Sequence, residues 1–113
     1  MIARYAVTPG QLEQDFAVLA ERAGAVVGFY SLIMDEPELD LMFVADSEQG
    51  RGLGRALFEH MMAEARGMGM TEIKIISNPP ARGFYERMGA RFVAMSPPVK
   101  HVTWERPILM LTL

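Results

Sequence analysis

Residues 40–58 read Asp-Leu-Met-Phe-Val-Ala-Asp-Ser-Glu-Gln-Gly-Arg-Gly-Leu-Gly-Arg-Ala-Leu-Phe. An apolar strand runs into a short polar turn, a glycine-rich loop and the first turns of a helix. That order builds an anion site. Glycines let the backbone approach a ligand closely, and a helix start presents N–H groups with a partial positive charge. Phosphate or pyrophosphate is therefore the expected ligand. The loop is not a Walker A motif, because no Lys-Ser or Lys-Thr pair follows Gly54. Nor is it the dinucleotide fingerprint, since Arg55 stands where G-x-G-x-x-G needs its third glycine.

Working upstream, residues 16–20 and 25–34 are rich in strand formers, with a hairpin turn at 21–24 between them. A second turn, Asp35-Glu36-Pro37, leads into a strand over Glu38–Val44, completing an antiparallel meander. Further back, Thr8-Pro9 reads as a helix cap followed by proline at the first helical position, which predicts a short helix over 9–14. Downstream, Leu53, Leu57 and Met61 recur at i, i+4 and i+8, predicting a helix over 52–66 that ends at Gly67 and Gly69. A strand follows at 72–77. Strand, helix and strand in this order make a crossover, so Glu38–Val44 and 72–77 should run parallel, with the glycine loop just past a strand's C-terminal end. Pro79-Pro80 breaks the chain. A short helix at 81–88, a strand at 91–95, a proline-bounded loop at 96–107 and a strand at 108–113 complete the reading.

The bulk numbers narrow the class. At 113 residues, half of them hydrophobic, the chain supports one core. With no cysteine it has no disulfide, thiolate metal site or cysteine nucleophile. Its net charge of −3 argues against a broad basic face for nucleic acid. No apolar run approaches the ~20 residues of a membrane span, and Arg4, Pro9 and Glu13 interrupt any signal-peptide pattern. A cytoplasmic protein without membrane or nucleic-acid partners is the expectation. The ten methionines suit an irregular core or interface.

A second segment, residues 77–92, reads Ser-Asn-Pro-Pro-Ala-Arg-Gly-Phe-Tyr-Glu-Arg-Met-Gly-Ala-Arg-Phe. Together with Gln49-x-x-Gly52-x-Gly54, it resembles the GNAT superfamily of N-acetyltransferases. The loop matches that family's Q-x-x-G-x-G signature, and 77–92 matches N-x-x-A-x-x-F-Y-E-x-x-G-F, departing only in the inserted Ala90-Arg91 before Phe92. The resemblance covers about residues 16–92. It implies an α/β (α+β) fold with a mixed, mostly antiparallel sheet and one parallel β-α-β crossover at the acetyl-CoA site. Acetyl-CoA is then the co-substrate, no metal is called for, and a small-molecule or peptide amine is the acceptor.

The resemblance also assigns roles. Backbone amides of Gln49, Gly50, Arg51, Gly52, Leu53 and Gly54 would hold the pyrophosphate, with Arg51 and Arg55 pairing CoA phosphates. A bulge in the strand before the loop, expected near 42–44, would use backbone N–H of the Phe43–Val44 region to polarise the thioester carbonyl. Asn78 would bond the pantetheine arm, and Tyr85 would protonate the departing sulfur. Tyrosine's ordinary pKa of ~10 leaves that proton in place at neutral pH. Phe84 reads as a core aromatic. Glu38, eleven residues before Gln49, is the candidate general base, against the alternatives of a solvated strand face and of proton loss through water. Strand alternation groups Glu38, Asp40 and Met42 on one face and Leu39, Leu41 and Phe43 on the other.

Asp35, Glu36, Glu38 and Asp40 form an acidic cluster that would attract a cationic amine, or else a polar hairpin tip. His60 reads as facing outward and His101 as a loop residue, with no role for either. Trp104 suits a pocket or a dimer contact. Members of the family usually carry a strand and two helices ahead of the strand at residue 16, and here about fifteen residues precede it. The single domain over 1–113 is thus expected to lack that part, through truncation, natural economy or a partner copy that supplies the wall. A homodimer is expected. The functional expectation is direct acetyl transfer to an amine; the alternatives are a non-catalytic acetyl-CoA-binding module and a dimerisation domain.

Overall fold

Strand β4, Glu38–Val44, organises the molecule, because it is the meeting point of two antiparallel systems. The computed structural model describes residues 2–6 and 15–113; the helix expected at 9–14 lies outside them. On one side of β4, β1 (Ile2–Ala6), β2 (Asp15–Arg22) and β3 (Ala25–Ile33) form an antiparallel meander with it. On the other, β4 pairs parallel with β5 (Glu72–Ile76) after helix α1 (Leu53–Gly67). Helix α2 (Arg82–Arg87), β6 (Arg91–Ser96) and β7 (Arg106–Thr112) follow, and β7 inserts between β5 and β6. The described residues thus form one seven-stranded sheet in the order β1-β2-β3-β4-β5-β7-β6, antiparallel except at β4–β5. The sequence reading assigns no strand to residues 2–6; pairing with β2, from Ile2 opposite Ala20 to Ala6 opposite Phe16, makes one.

Local chemistry sets the joins. The β2–β3 hairpin closes on Ala23 (φ 53°) and Gly24 (φ 81°), the left-handed pair that matches the twist of two-residue hairpins. Helix α1 stops in a Schellman motif, with Gly69 N–H donating to the Arg66 carbonyl and Met70 N–H to that of Ala65. Helix α2 ends the same way, with Gly89 N–H on Glu86 O and Ala90 N–H on Tyr85 O.

The core lies between α1 and one face of the sheet. Leu57, Phe58 and Met61 of α1 are fully buried against Tyr30 and Leu32 of β3, Ile73 and Ile75 of β5, and Leu109 and Leu111 of β7. Each such side chain contributes about 1.5–3 kcal/mol by leaving water. Helix and sheet approach so closely at Gly28 that an added Cβ would stand 2.9 Å from Leu57 Cδ1. The opposite face is different: Leu41 is 55% and Phe43 48% exposed.

The register of β3 and β4 explains which side chains go where. Ser31 pairs with Leu41 but Leu32 pairs with Leu39, so Asp40 is an extra residue, a β-bulge. The bulge lies two residues earlier than the expected 42–44. It also corrects the expected alternation, because one inserted residue resets the faces. Leu39, Met42 and Val44 share the α1 face with their partners Leu32, Tyr30 and Gly28, while Glu38, Leu41 and Phe43 share the opposite face.

Candidate active site

The β4–β5 ladder ends early. Glu38 pairs with Lys74 and Leu39 with Ile75, and no pair follows. From the bulge onward the two strands part, and the edge of β4 beyond it has no β5 neighbour to bond. A polypeptide-like ligand could fill that gap. At its C-terminal end lies a hollow of about 400 Å³ lined by Met42 and Val44 of β4, Glu48, Gln49, Gly50 and Gly52 of the loop, Gly54 and Arg55 of α1, and Ala81, Phe84 and Tyr85.

The loop is shaped for an anion. The chain leaves β4 with Ala45 N–H on the Val27 carbonyl and makes one 3-10 turn, Asp46–Glu48. Gly50 (φ 77°) and Gly52 (φ 81°) then take left-handed conformations with open space where a Cβ would be. These are conformations that only glycine adopts without strain, and they leave the backbone bare toward the hollow. Gly52 caps α1 without any side-chain hydrogen bond, and the first turn holds no acidic residue. The first intrahelical bond is Ala56 N–H to Gly52 O, so the N–H groups of Leu53, Gly54 and Arg55 precede the helix's own ladder. The dipole adds partial positive charge there. The residues present fit a pyrophosphate.

Tyr85 is held at the other wall by aromatic packing, with ring centroids 5.4 Å from Phe84 and 5.9 Å from Phe58. Burial raises its pKa above the ordinary tyrosine value, so it keeps its proton at neutral pH. Among the described residues its hydroxyl has no hydrogen-bond partner.

The structure therefore gathers Val44, Gln49, Gly50, Gly52, Gly54, Arg55 and Tyr85 into one hollow. The side chain of Gln49 donates to the Val44 carbonyl at 3.3 Å, bracing loop against strand. Other expected residues fall outside the lining. Leu53 is buried in the core, Arg51 is exposed beside the loop, and Asn78 is exposed at the end of β5. The Phe43 ring packs on Phe29 at 5.7 Å on the opposite face. Glu38 lines a second hollow of about 700 Å³ at the far end of β4, with Asp35, Glu36, Glu72 and Lys74 among its neighbours. Phe84 is both a core contact and a wall of the first hollow. His60, read from the sequence as facing outward without a partner, has one: its Nδ1 lies 2.7 Å from the Tyr30 hydroxyl.

Two participants escape the sequence reading. Glu48 lines the hollow yet is only 3% exposed, and Arg22 grips it with Nε at 3.0 Å from Oε2 and Nη2 at 2.9 Å from Oε1. The hydrogen bonds from Arg22 hold the Glu48 carboxyl below the ordinary carboxylate range against the opposing effect of burial, and Arg51 adds to the lowering. These partners lie 26 residues apart, a separation that no local motif signals.

Among the described residues, no three His, Cys, Asp or Glu side chains are grouped to hold a metal, and no helix is long and apolar enough to cross a membrane.

Comparison with known proteins agrees with this geometry. The model of the acetyltransferase (GNAT) domain matches residues 4–103. A 5-NmdU N-acetyltransferase of Pseudomonas phage PaMx11 is 40% identical over 75 residues, 63% of this chain and 54% of that protein. The chain thus matches about half the length of this relative. Among solved structures, an IAA acetyltransferase from Bacillus cereus ATCC 14579 superposes with a TM-score of 0.85 at 21% identity, covering 100% of this chain and 99% of that one. A GNAT family acetyltransferase from Elizabethkingia anophelis with acetyl-CoA bound gives 0.76 at 17% identity, covering 99% and 98%. At those identities the two structures speak for the fold, and the domain match decides the family: this chain belongs to the GNAT acetyltransferases.

Proposed function

We propose that the protein transfers an acetyl group from acetyl-CoA directly to a primary amine. The observation that carries this reading is the convergence on one hollow of a bare glycine loop, an uncapped helix start and a protonated tyrosine, beside a gap in the sheet. The E. anophelis neighbour holds acetyl-CoA, and the phage relative is an N-acetyltransferase; both support the choice of donor and reaction.

In this reading the loop amides and the start of α1 take the pyrophosphate. The pantetheine arm lies along the open edge of β4 and bonds its backbone, as a further strand would. A backbone N–H just after the bulge polarises the thioester carbonyl. The amine nitrogen attacks that carbon, the C–N bond forms, and the C–S bond breaks. Tyr85 gives its proton to the departing sulfur and is reprotonated from water. The nitrogen's surplus proton leaves to solvent, since Glu38 belongs to the other hollow. With no cysteine in these 113 residues, no acetyl-cysteine intermediate forms on them.

The test is calorimetric titration with acetyl-CoA, with ATP as control, followed by a panel of amines scored for thiol release. Saturable binding and amine-dependent thiol release are expected. Binding without release from any amine would favour a non-catalytic acetyl-CoA module. No binding by folded protein would overturn the reading.

The exposed Leu41 and Phe43 support self-association across the face opposite α1. Sedimentation over a hundredfold dilution should show a dimer that dissociates, and Leu41→Ser with Phe43→Ser should leave a monomer.

A further inference from the structure

Glu48 poses an electrostatic problem. It is a buried carboxylate lining the hollow shaped for a pyrophosphate, and like charges at short range in a partly dry site repel strongly. A carboxylate there weakens anion binding unless a cation is dedicated to it. Arg22 meets that need with two hydrogen bonds, in the fork geometry that pairs a guanidinium with a carboxylate. Arg22 ends β2, at the last pair before the hairpin turn, and reaches across to the turn that precedes Gly50. Among the described residues, the other charged groups near Glu48 include Arg51 on the loop, Arg55 of α1 on the hollow's rim and Asp46 of the same 3-10 turn. Arg55 is already engaged by Glu59 at 3.5 Å, and among the described residues no side-chain hydrogen bond joins Arg51 to Glu48.

We infer that Arg22 is a positioning residue of the cofactor site, which neutralises Glu48 and fixes the loop's 3-10 turn so that the site presents net positive potential to the pyrophosphate. The inference rests on the reading of the loop as a pyrophosphate site. Arg22 itself is not among the residues lining the hollow, so its effect on the ligand passes through Glu48.

A double-mutant cycle with dephospho-CoA as the probe tests this, because that ligand keeps the pyrophosphate and lacks the 3′-phosphate, whose own titration would confuse a pH series. Arg22→Gln should weaken binding at pH 7.5 by about five- to tenfold, since Glu48 is buried although Arg22 itself is half-exposed. In a Glu48→Gln background the same change should cost less than about twofold, since no charge remains to neutralise. In Arg22→Gln alone, lowering the pH from 7.5 to 5 should recover part of the lost affinity, because burial opposes the charged carboxylate once Arg22 is gone, with Arg51 alone still favouring it. The wild type should show no such gain. Arg22→Lys, which keeps the charge, should bind close to wild type, and circular dichroism checks that each variant is folded.

Equal losses from Arg22→Gln in both backgrounds, with no pH rescue, would overturn the inference and make Arg22 a direct ligand contact or a plain structural tie. Unchanged binding in Arg22→Gln would also overturn it while leaving the pyrophosphate reading intact. If Arg22→Gln alone does not fold, the comparison of Glu48→Gln with the double variant still decides the matter. Failure of the wild type to bind dephospho-CoA would defeat the pyrophosphate reading first, and the inference with it.

Discussion

The two hollows at opposite ends of β4 are built from different materials. The smaller is lined by glycine backbone, a helix start, aromatic rings and one neutralised carboxylate. The larger is lined by Asp35, Glu36, Glu38, Glu72 and Lys74 together with Met34, Met68, Met70 and Met110. Size is the poorer guide to function. The small hollow offers fixed backbone donors that need no reorganisation when an anion arrives. The large one offers carboxylates and thioethers on flexible side chains, an acidic lining that attracts cations.

The comparison breaks most readily at Gly52. Gly52→Asp puts a side chain on a left-handed residue and a negative charge at the helix start, so acetyl-CoA affinity should fall at least about 100-fold. Calorimetry reads this directly, and near-normal affinity would mean that the ligand is held elsewhere. Tyr85→Phe comes next. It removes the proposed proton donor and keeps the ring packing, so kcat should drop about 100-fold while the affinity for acetyl-CoA holds. A matching loss in affinity would instead assign the hydroxyl to binding.

Acid should loosen the small hollow's scaffold through Glu48. The folded state depresses the pKa of Glu48, so the stability this group contributes is complete above its ordinary value of 4.5 and is lost as pH falls through the lower folded value. Thermal melts between pH 6 and 3 should show that loss, and Glu48→Gln should flatten it. The smallest effect is expected at Glu38. Glu38→Gln should change kcat/KM by less than about threefold, against the roughly 100-fold that a general base contributes. A large fall, with loss of the acidic limb of the pH profile, would move the base into the larger hollow and erase the contrast.

How much of this could be read beforehand follows the range of the interaction. The glycine loop, α1 and the parallel pair were legible, since glycine spacing, i/i+4 periodicity and strand-helix-strand order are all local signals. Tyr85 was legible through the motif around it. The bulge was only roughly so, because an extra residue at Asp40 exists relative to β3 and not within β4 alone. Its displacement by two residues was enough to move Met42 onto the α1 face and Phe43 off it. Arg22–Glu48 and Tyr30–His60, at separations of 26 and 30 residues, were invisible for the same reason. Strand β1 carries a short, unpatterned sequence that becomes a strand by pairing with β2.

The brief β4–β5 ladder has a mechanical consequence. Two rungs join a four-stranded half, β1 to β4, to a three-stranded half, β5-β7-β6. The halves meet at a seam of two pairs, Glu38 with Lys74 and Leu39 with Ile75, with α1 packed across one face. Thermal breathing should therefore open along this seam before any antiparallel ladder frays, and the amides of β4 beyond the bulge should exchange with solvent sooner than those of β3 and β7. A pantetheine arm lying in the gap would supply the missing rungs, so the donor substrate would double as a splint for its own enzyme.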